Sequence, residues 1–130
     1  MEETLRTAGE IALQAVQASG LKGEAFLLHN RELSIEVSGG QVETLKEAEQ
    51  AGLGLRVFNQ GRLGFAYSSD LSEAAIQETA RNAVHTSAFT AADEFNCLPS
   101  REESYPVMAI FDEGISQAAV ATKIEMARDI

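Results

Sequence analysis

The sequence predicts an α+β domain, a helix followed by an antiparallel meander of four to five strands and a second helix packed on the sheet. Three observations carry this. Residues 53–58 and 63–67 each alternate with period two around a short loop containing Gly61. Residues 3–19 and about 71–88 repeat apolar side chains at three- and four-residue spacing. No apolar run approaches the ~20 residues needed to span a bilayer.

Taken in order, the first helix has a stripe of Leu5, Ala8, Ile11, Ala12, Ala15 and Val16. Gly20 suits the position just past its end, where Leu21 folds back on Val16. Gly9 costs the helix up to about 1 kcal/mol relative to alanine, but a stripe this rich in small residues allows close packing on a sheet. Next, Phe26 and Leu28 alternate on one strand and Leu33, Ile35 and Val37 on another, with Asn30-Arg31 as a two-residue turn. Gly39-Gly40 makes the following turn and sets Val37 opposite Val42. The acidic run from Glu43 to Gln50 reads either as a solvated edge or as a bulged, twisted stretch.

The central hairpin is assigned by parity. A two-residue loop puts Leu53, Leu55 and Val57 on one face with Gly64 and Ala66. A three-residue loop, Asn59-Gln60-Gly61 with Gly61 left-handed, groups them with Leu63, Phe65 and Tyr67. The second arrangement gives the more coherent apolar face and is the expected one. It leaves Gly54, Arg56, Gly64 and Ala66 on the opposite face. Two glycines, an alanine and one arginine are a poor solvated surface, so this face is expected to be a contact surface, either for a partner or for one of the domain's own helices.

Asp70, with Glu73 three residues on, is the expected cap of the second helix. Its buried face is Ile76, Thr79, Ala80, Ala83, Val84 and Ser87, and His85 points to water. Residues 1–90 thus form a helix–sheet–helix core. Residues 91–114, with Phe95, Tyr105, Phe111 and both prolines, read as an extended arm or a linker. Residues 115–130 begin a further helix, with Ile115 stapled to Val120, which looks truncated at Ile130.

Composition narrows the function. At 130 residues, 45% hydrophobic and 23% charged, the chain is an ordinary globular protein. A net charge of −10, with bases scattered singly from Arg6 to Arg128, opposes binding to a phosphate backbone. The acidic start Met1-Glu2-Glu3-Thr4 lacks a signal-peptide layout, so a cytoplasmic location is expected. Cys97 alone makes no internal disulfide or thiolate cluster, and reads as an inert thiol. His29 at a turn and His85 on a helix surface have no metal-ligand spacing, and Gly52, Gly54, Gly61 and Gly64 do not match a dinucleotide loop. No nucleophile–base pair or tuned carboxylate pair is found. No catalytic, cofactor or metal residue is therefore assigned.

The motifs Gly52-Leu53-Gly54-Leu55-Arg56-Val57-Phe58, Gly61-Arg62-Leu63-Gly64-Phe65-Ala66 and Ser68-Ser69-Asp70-Leu71-Ser72 closely resemble the N-terminal part of the TldD/PmbA family. Residues 33–37, 40–43 and Asp93-Glu94-Phe95 with Leu98-Pro99 are similar as well, nearer to the PmbA-like branch. This family is associated with modulation of DNA gyrase and regarded as metallopeptidase-related. The resemblance implies a two-subunit assembly acting on peptides or unfolded proteins, with zinc held by an HExxxH motif of the TldD-type subunit, outside this segment. It implies an architectural or subunit-contact role for this chain, with a TldD-type subunit or a second copy as partner. The other reading is a free-standing acidic binding module resembling a secretion chaperone. Such proteins usually interrupt the sheet with a helix after the third strand, whereas every strand expected here lies between the two helices.

Overall fold

The computed structural model describes residues 1–100 and 104–130, so residues 101–103 of the expected arm lie outside the described residues. Among the described residues there are four helices and one antiparallel sheet of three strands, in spatial order β1-β2-β3. In chain order these are α1 (Glu2–Ala18), β1 (Lys22–Ser38), β2 (Gln41–Asn59), β3 (Arg62–Ser68), α2 (Glu73–Ser87), α3 (Glu113–Gln117) and α4 (Val120–Arg128). The chain divides into two compact units. One contains residues 1–30 and 50–100, the other residues 31–49 and 104–130.

The expected hairpin at Asn30-Arg31 does not exist, which removes one strand from the meander. β1 runs through these residues without interruption. A two-residue hairpin turn of the favoured kinds needs positive φ at one or both central residues, and among the described residues positive φ is found at Gly20, Gly39, Gly40, Gln60 and Gly61. Gly39-Gly40 does turn the chain, between Ser38 and Gln41. The acidic run from Glu43 to Gln50 lies within β2 but before its pairing with β3, which begins at Leu53, and is mostly exposed, as the reading of a solvated stretch expects.

In the first unit, α1 and α2 cover one face of the sheet. Ala8, Ala12 and Val16 of α1, Leu53, Leu55 and Val57 of β2, and Ile76, Ala80 and Ala83 of α2 form the core. Small residues bring these layers close together. A Cβ on Gly9 would meet Leu27 Cδ1 at 2.9 Å, so the glycine that weakens the helix also seats it on β1. Gly20 ends α1 with φ 74°, as its position requires.

The cap of α2 is Ser72, whose hydroxyl accepts from Ala75 N, and not Asp70. Asp70 sits one step earlier in the same turn. Its Oδ1 accepts from Ser72 N at 2.8 Å, while Ser68 Oγ accepts from Asp70 N at 3.0 Å. The Ser72 backbone N–H first, and the Ser72 side chain second, hold the Asp70 carboxyl below the usual carboxylate range.

After α2 the chain returns to the β2–β3 turn and fastens it. Asp93 N and Asn96 Nδ2 both donate to Gly61 O, at 2.9 and 3.0 Å, and Ala92 forms a single antiparallel bridge with Arg62. The segment around Asp93 and Asn96, read as part of an arm, is thus tied down at this point.

The second unit holds the end of the β1–β2 hairpin with α3 and α4. Arg31 Nε donates to Glu47 Oε1 at 2.6 Å, and that bond, then the charge of Glu47, raises the Arg31 pKa further above its ordinary value. The helix expected from residue 115 is two helices. Asp112 Oδ1 accepts from Gly114 N at 2.8 Å and starts α3 early. Ala118 and Ala119 are extended, with ψ 129° and 144°, and separate α3 from α4. Alanine favours helix, so local propensity does not impose this break. Ile115 therefore lies inside α3 and Val120 opens α4, which replaces the expected staple.

Candidate functional site

The β2–β3 pairing decides which side chains meet the helices. Phe58 stands opposite Leu63, Val57 opposite Gly64, Arg56 opposite Phe65, Leu55 opposite Ala66 and Gly54 opposite Tyr67. This is the register of a two-residue turn, Gln60-Gly61, with φ 51° and 79°. The three-residue loop expected from parity is not formed, although Gly61 is left-handed as anticipated.

The reason is the close approach of α2. A Cβ on Gly64 would lie 1.9 Å from Ala83 O and 2.7 Å from Ser87 N, so only glycine fits beneath the helix. The other register would place bulky Leu63 and Phe65 on the helix side, where α2 leaves no room. The four residues expected on one face are therefore divided. Gly64 is buried and Ala66 half-buried under α2, in the role of internal cover. Gly54 and Arg56 lie on the opposite, open face.

That open face is built by alternation along three strands. β1 contributes Glu24, Phe26 and Leu28; β2 contributes Gly54, Arg56 and Phe58; β3 contributes Leu63, Phe65 and Tyr67. Phe26, Phe65 and Tyr67 are 69%, 53% and 79% exposed. The Phe65 and Tyr67 rings lie 6.2 Å apart. A shallow pocket of about 350 Å³ is lined by Glu24, Phe26, Gly54, Arg56 and Phe65. Its floor is open because Gly54 has no side chain, and the Phe65 ring edge sits 3.6 Å from where its Cβ would be.

Arg56 is the base that lines the pocket on this face. It is ion-paired with Glu24, and its guanidinium carbon lies 5.9 Å from the Phe58 ring centroid. The partly exposed pair adds little stability, about 0–1 kcal/mol at most, but it fixes the arginine over an apolar floor. Phe26, Leu28, Phe65 and Tyr67 were not identified from sequence as surface residues. The signal was the Gln60-Gly61 dipeptide, a two-residue turn that reverses the parity of β3.

Among the described residues, no group of three or more His, Cys, Asp and Glu side chains is gathered to hold a metal ion. His85 is exposed and packs on Phe89, with ring centroids 5.0 Å apart, and Cys97 is exposed. Also among the described residues, no helix is long and apolar enough to cross a membrane.

Comparison with known proteins places this surface in context. Residues 23–87, half of the chain, match the family model described as PmbA/TldA metallopeptidase domain 1. A crystal structure from Bacteroides thetaiotaomicron that carries the name of a DNA gyrase modulator superposes with a TM-score of 0.81 at 21% identity, over 95% of this chain and 29% of that one. One of the same name from Thermotoga maritima gives 0.80 at 15% identity, over 95% and 27%. TldE from Thermococcus kodakarensis gives 0.69 at 18% identity, over 94% and 29%. An uncharacterised protein of Methanocaldococcus jannaschii is 26% identical over 68 residues, 52% of this chain and 16% of its own length. The chain thus spans less than a third of each of these proteins. At these identities the structural likeness speaks for the fold.

Proposed function

We propose, from the premise that this chain belongs to the PmbA/TldD metallopeptidase family, that it is a non-catalytic contact domain of a longer cytoplasmic protein involved in proteolysis or peptide processing. The open sheet face carries this reading. Three aromatic side chains more than half exposed on one face, around a glycine-floored pocket, are costly to leave in water. The helix-covered face needs no outside partner. In this reading Phe26, Gly54, Arg56, Phe65 and Tyr67 meet a related TldD-type subunit or a second copy, and the assembly acts on peptides or unfolded protein.

The described residues do not offer a zinc ligand set, so no metal-dependent step is assigned to this chain. In this reading any zinc of the assembly is held elsewhere in it. Its contribution is shape and a positioned apolar surface.

The experiment is sedimentation of the full-length parent, wild type against Phe65→Asp with Tyr67→Asp. Loss of the assembled species, with an unchanged melting temperature for the 130-residue chain, supports the reading. Wild-type assembly by the double variant contradicts it.

A further inference from the structure

The outer edge of β3 is open in a way that the outer edge of β1 is not. β3 reads Arg-Leu-Gly-Phe-Ala-Tyr-Ser, with no proline and no charge beyond Arg62 at its start. Edge strands are normally protected by such residues. β1, the other edge, carries Lys22, Glu24, Arg31, Glu32 and Glu36. Along β3, among the described residues, the pairing on the outer side is the single bridge Arg62–Ala92. The residues before Ala92, which would continue beside Gly64, come off the end of α2, where Ala88 N and Phe89 N donate to His85 O and Thr86 O. The edge thus accepts an antiparallel neighbour for one residue and then loses it.

The hairpin register says which groups are left. The pair flanking a two-residue turn, Asn59 and Arg62, exchanges both hydrogen bonds, and bonded and non-bonded pairs alternate from there. Gly64, Ala66 and Ser68 bond inward to β2. Phe65 and Tyr67 direct their N–H and C=O groups outward.

Two features define the occupant. First, α2 lies directly on β3, touching Gly64 through Ala83 O. A second copy joined through the same edge would bring its own α2 to about one strand spacing, ~4.8 Å, whereas packed helices need ~8–10 Å. The neighbour is therefore a bare strand. Second, acids flank β3 at both ends: Asp70 and Glu73 follow it, and Asp93 and Glu94 adjoin its starting turn. A strand with bases at its ends complements this charge.

We propose that β3 is a strand acceptor: it binds an extended segment of a separate polypeptide, apolar at alternate positions and basic at its ends, whose side chains pack beside Phe65 and Tyr67. This goes beyond the assembly reading and does not depend on it.

The test titrates the 130-residue chain with the peptide acetyl-Lys-Val-Thr-Val-Thr-Val-Lys-amide, following backbone amides by NMR. Hydrogen exchange at Phe65 and Tyr67 is expected to slow at least tenfold at saturation. A single added strand bonds through one of its edges. N-methylating either all the valine or all the threonine nitrogens is therefore expected to abolish binding in one case and spare it in the other. The same peptide with glutamates in place of lysines is expected to bind at least tenfold more weakly. Tyr67→Pro removes an outward N–H without breaking a bond to β2, and is expected to lose binding while keeping the wild-type circular dichroism. If that variant does not fold, the methylated peptides still decide. No binding at 1 mM, equal effects of the two methylations, equal affinity of the acidic peptide, or protection on β1 in place of β3 overturns the proposal.

Discussion

The two faces of the sheet are made from the same strands and have opposite composition rules. On the helix side β3 offers Gly64 and Ala66, and on the open side Leu63, Phe65 and Tyr67. Intuition puts large apolar residues inside, but the space beneath α2 is set by backbone approach, and β2 already fills the core with Leu53, Leu55 and Val57. The large residues of β3 are left for the outside. A face of small residues can thus be the more deeply buried one, and a face of aromatics the one free to meet another chain.

Substitutions on the two faces separate them. The largest effect is expected from Gly64→Glu, which drives a side chain into the backbone of α2. The domain is expected to unfold, seen as loss of the cooperative melting transition by circular dichroism. Gly64→Ala already exceeds ordinary overpacking costs, at about 3 kcal/mol or more. Leu55→Ala, at a fully buried site, is expected to cost about 2–5 kcal/mol in urea unfolding. Gly61→Ala combines φ 79° with a Cβ 2.8 Å from Asp93 O, and is expected to cost about 1–3 kcal/mol. On the open face Tyr67→Thr is expected to stay within about 0.5 kcal/mol. A large loss there would show that the face is part of the core.

The pH dependence adds a smaller effect at the start of α2. The Asp70 carboxyl is held below its usual range in the folded chain. Its contribution is therefore complete above the unfolded carboxylate value, about 3.9, and lost as pH falls through the lower folded value. Asp70→Asn is expected to lower the urea midpoint at pH 7, with the gap from wild type closing as the pH falls below about 4, the unfolded carboxylate value. A constant gap would mean that the carboxylate charge is not involved.

What was legible in the sequence follows from how local each signal is. The α1 stripe, Gly20 past its end, the buried face of α2 and the Gly39-Gly40 turn rest on neighbours a few residues apart, and all are found in the structure. Asn30-Arg31 resembled a turn only because apolar alternation appeared to restart there. Without glycine the strand continues. The register of β3 was not legible from its own alternation, because both parities give an amphipathic strand. The choice depends on Ala83 and Ser87, some twenty residues away, whose backbone excludes a side chain at position 64. The candidate contact face was split for the same reason. Its glycines marked close approach correctly at Gly64, while Gly54 instead opens the floor of the pocket.

The most direct measurement is therefore of the β2–β3 register in solution. Non-hydrogen-bonded antiparallel partners bring their Cα atoms to about 4.5 Å, which gives strong contacts between α-protons in NOE spectra. Such contacts are expected between Arg56 and Phe65, and between Gly54 and Tyr67. Contacts that set Leu55 opposite Phe65 would turn the aromatics of β3 into the helix layer and contradict the assignment of the two faces.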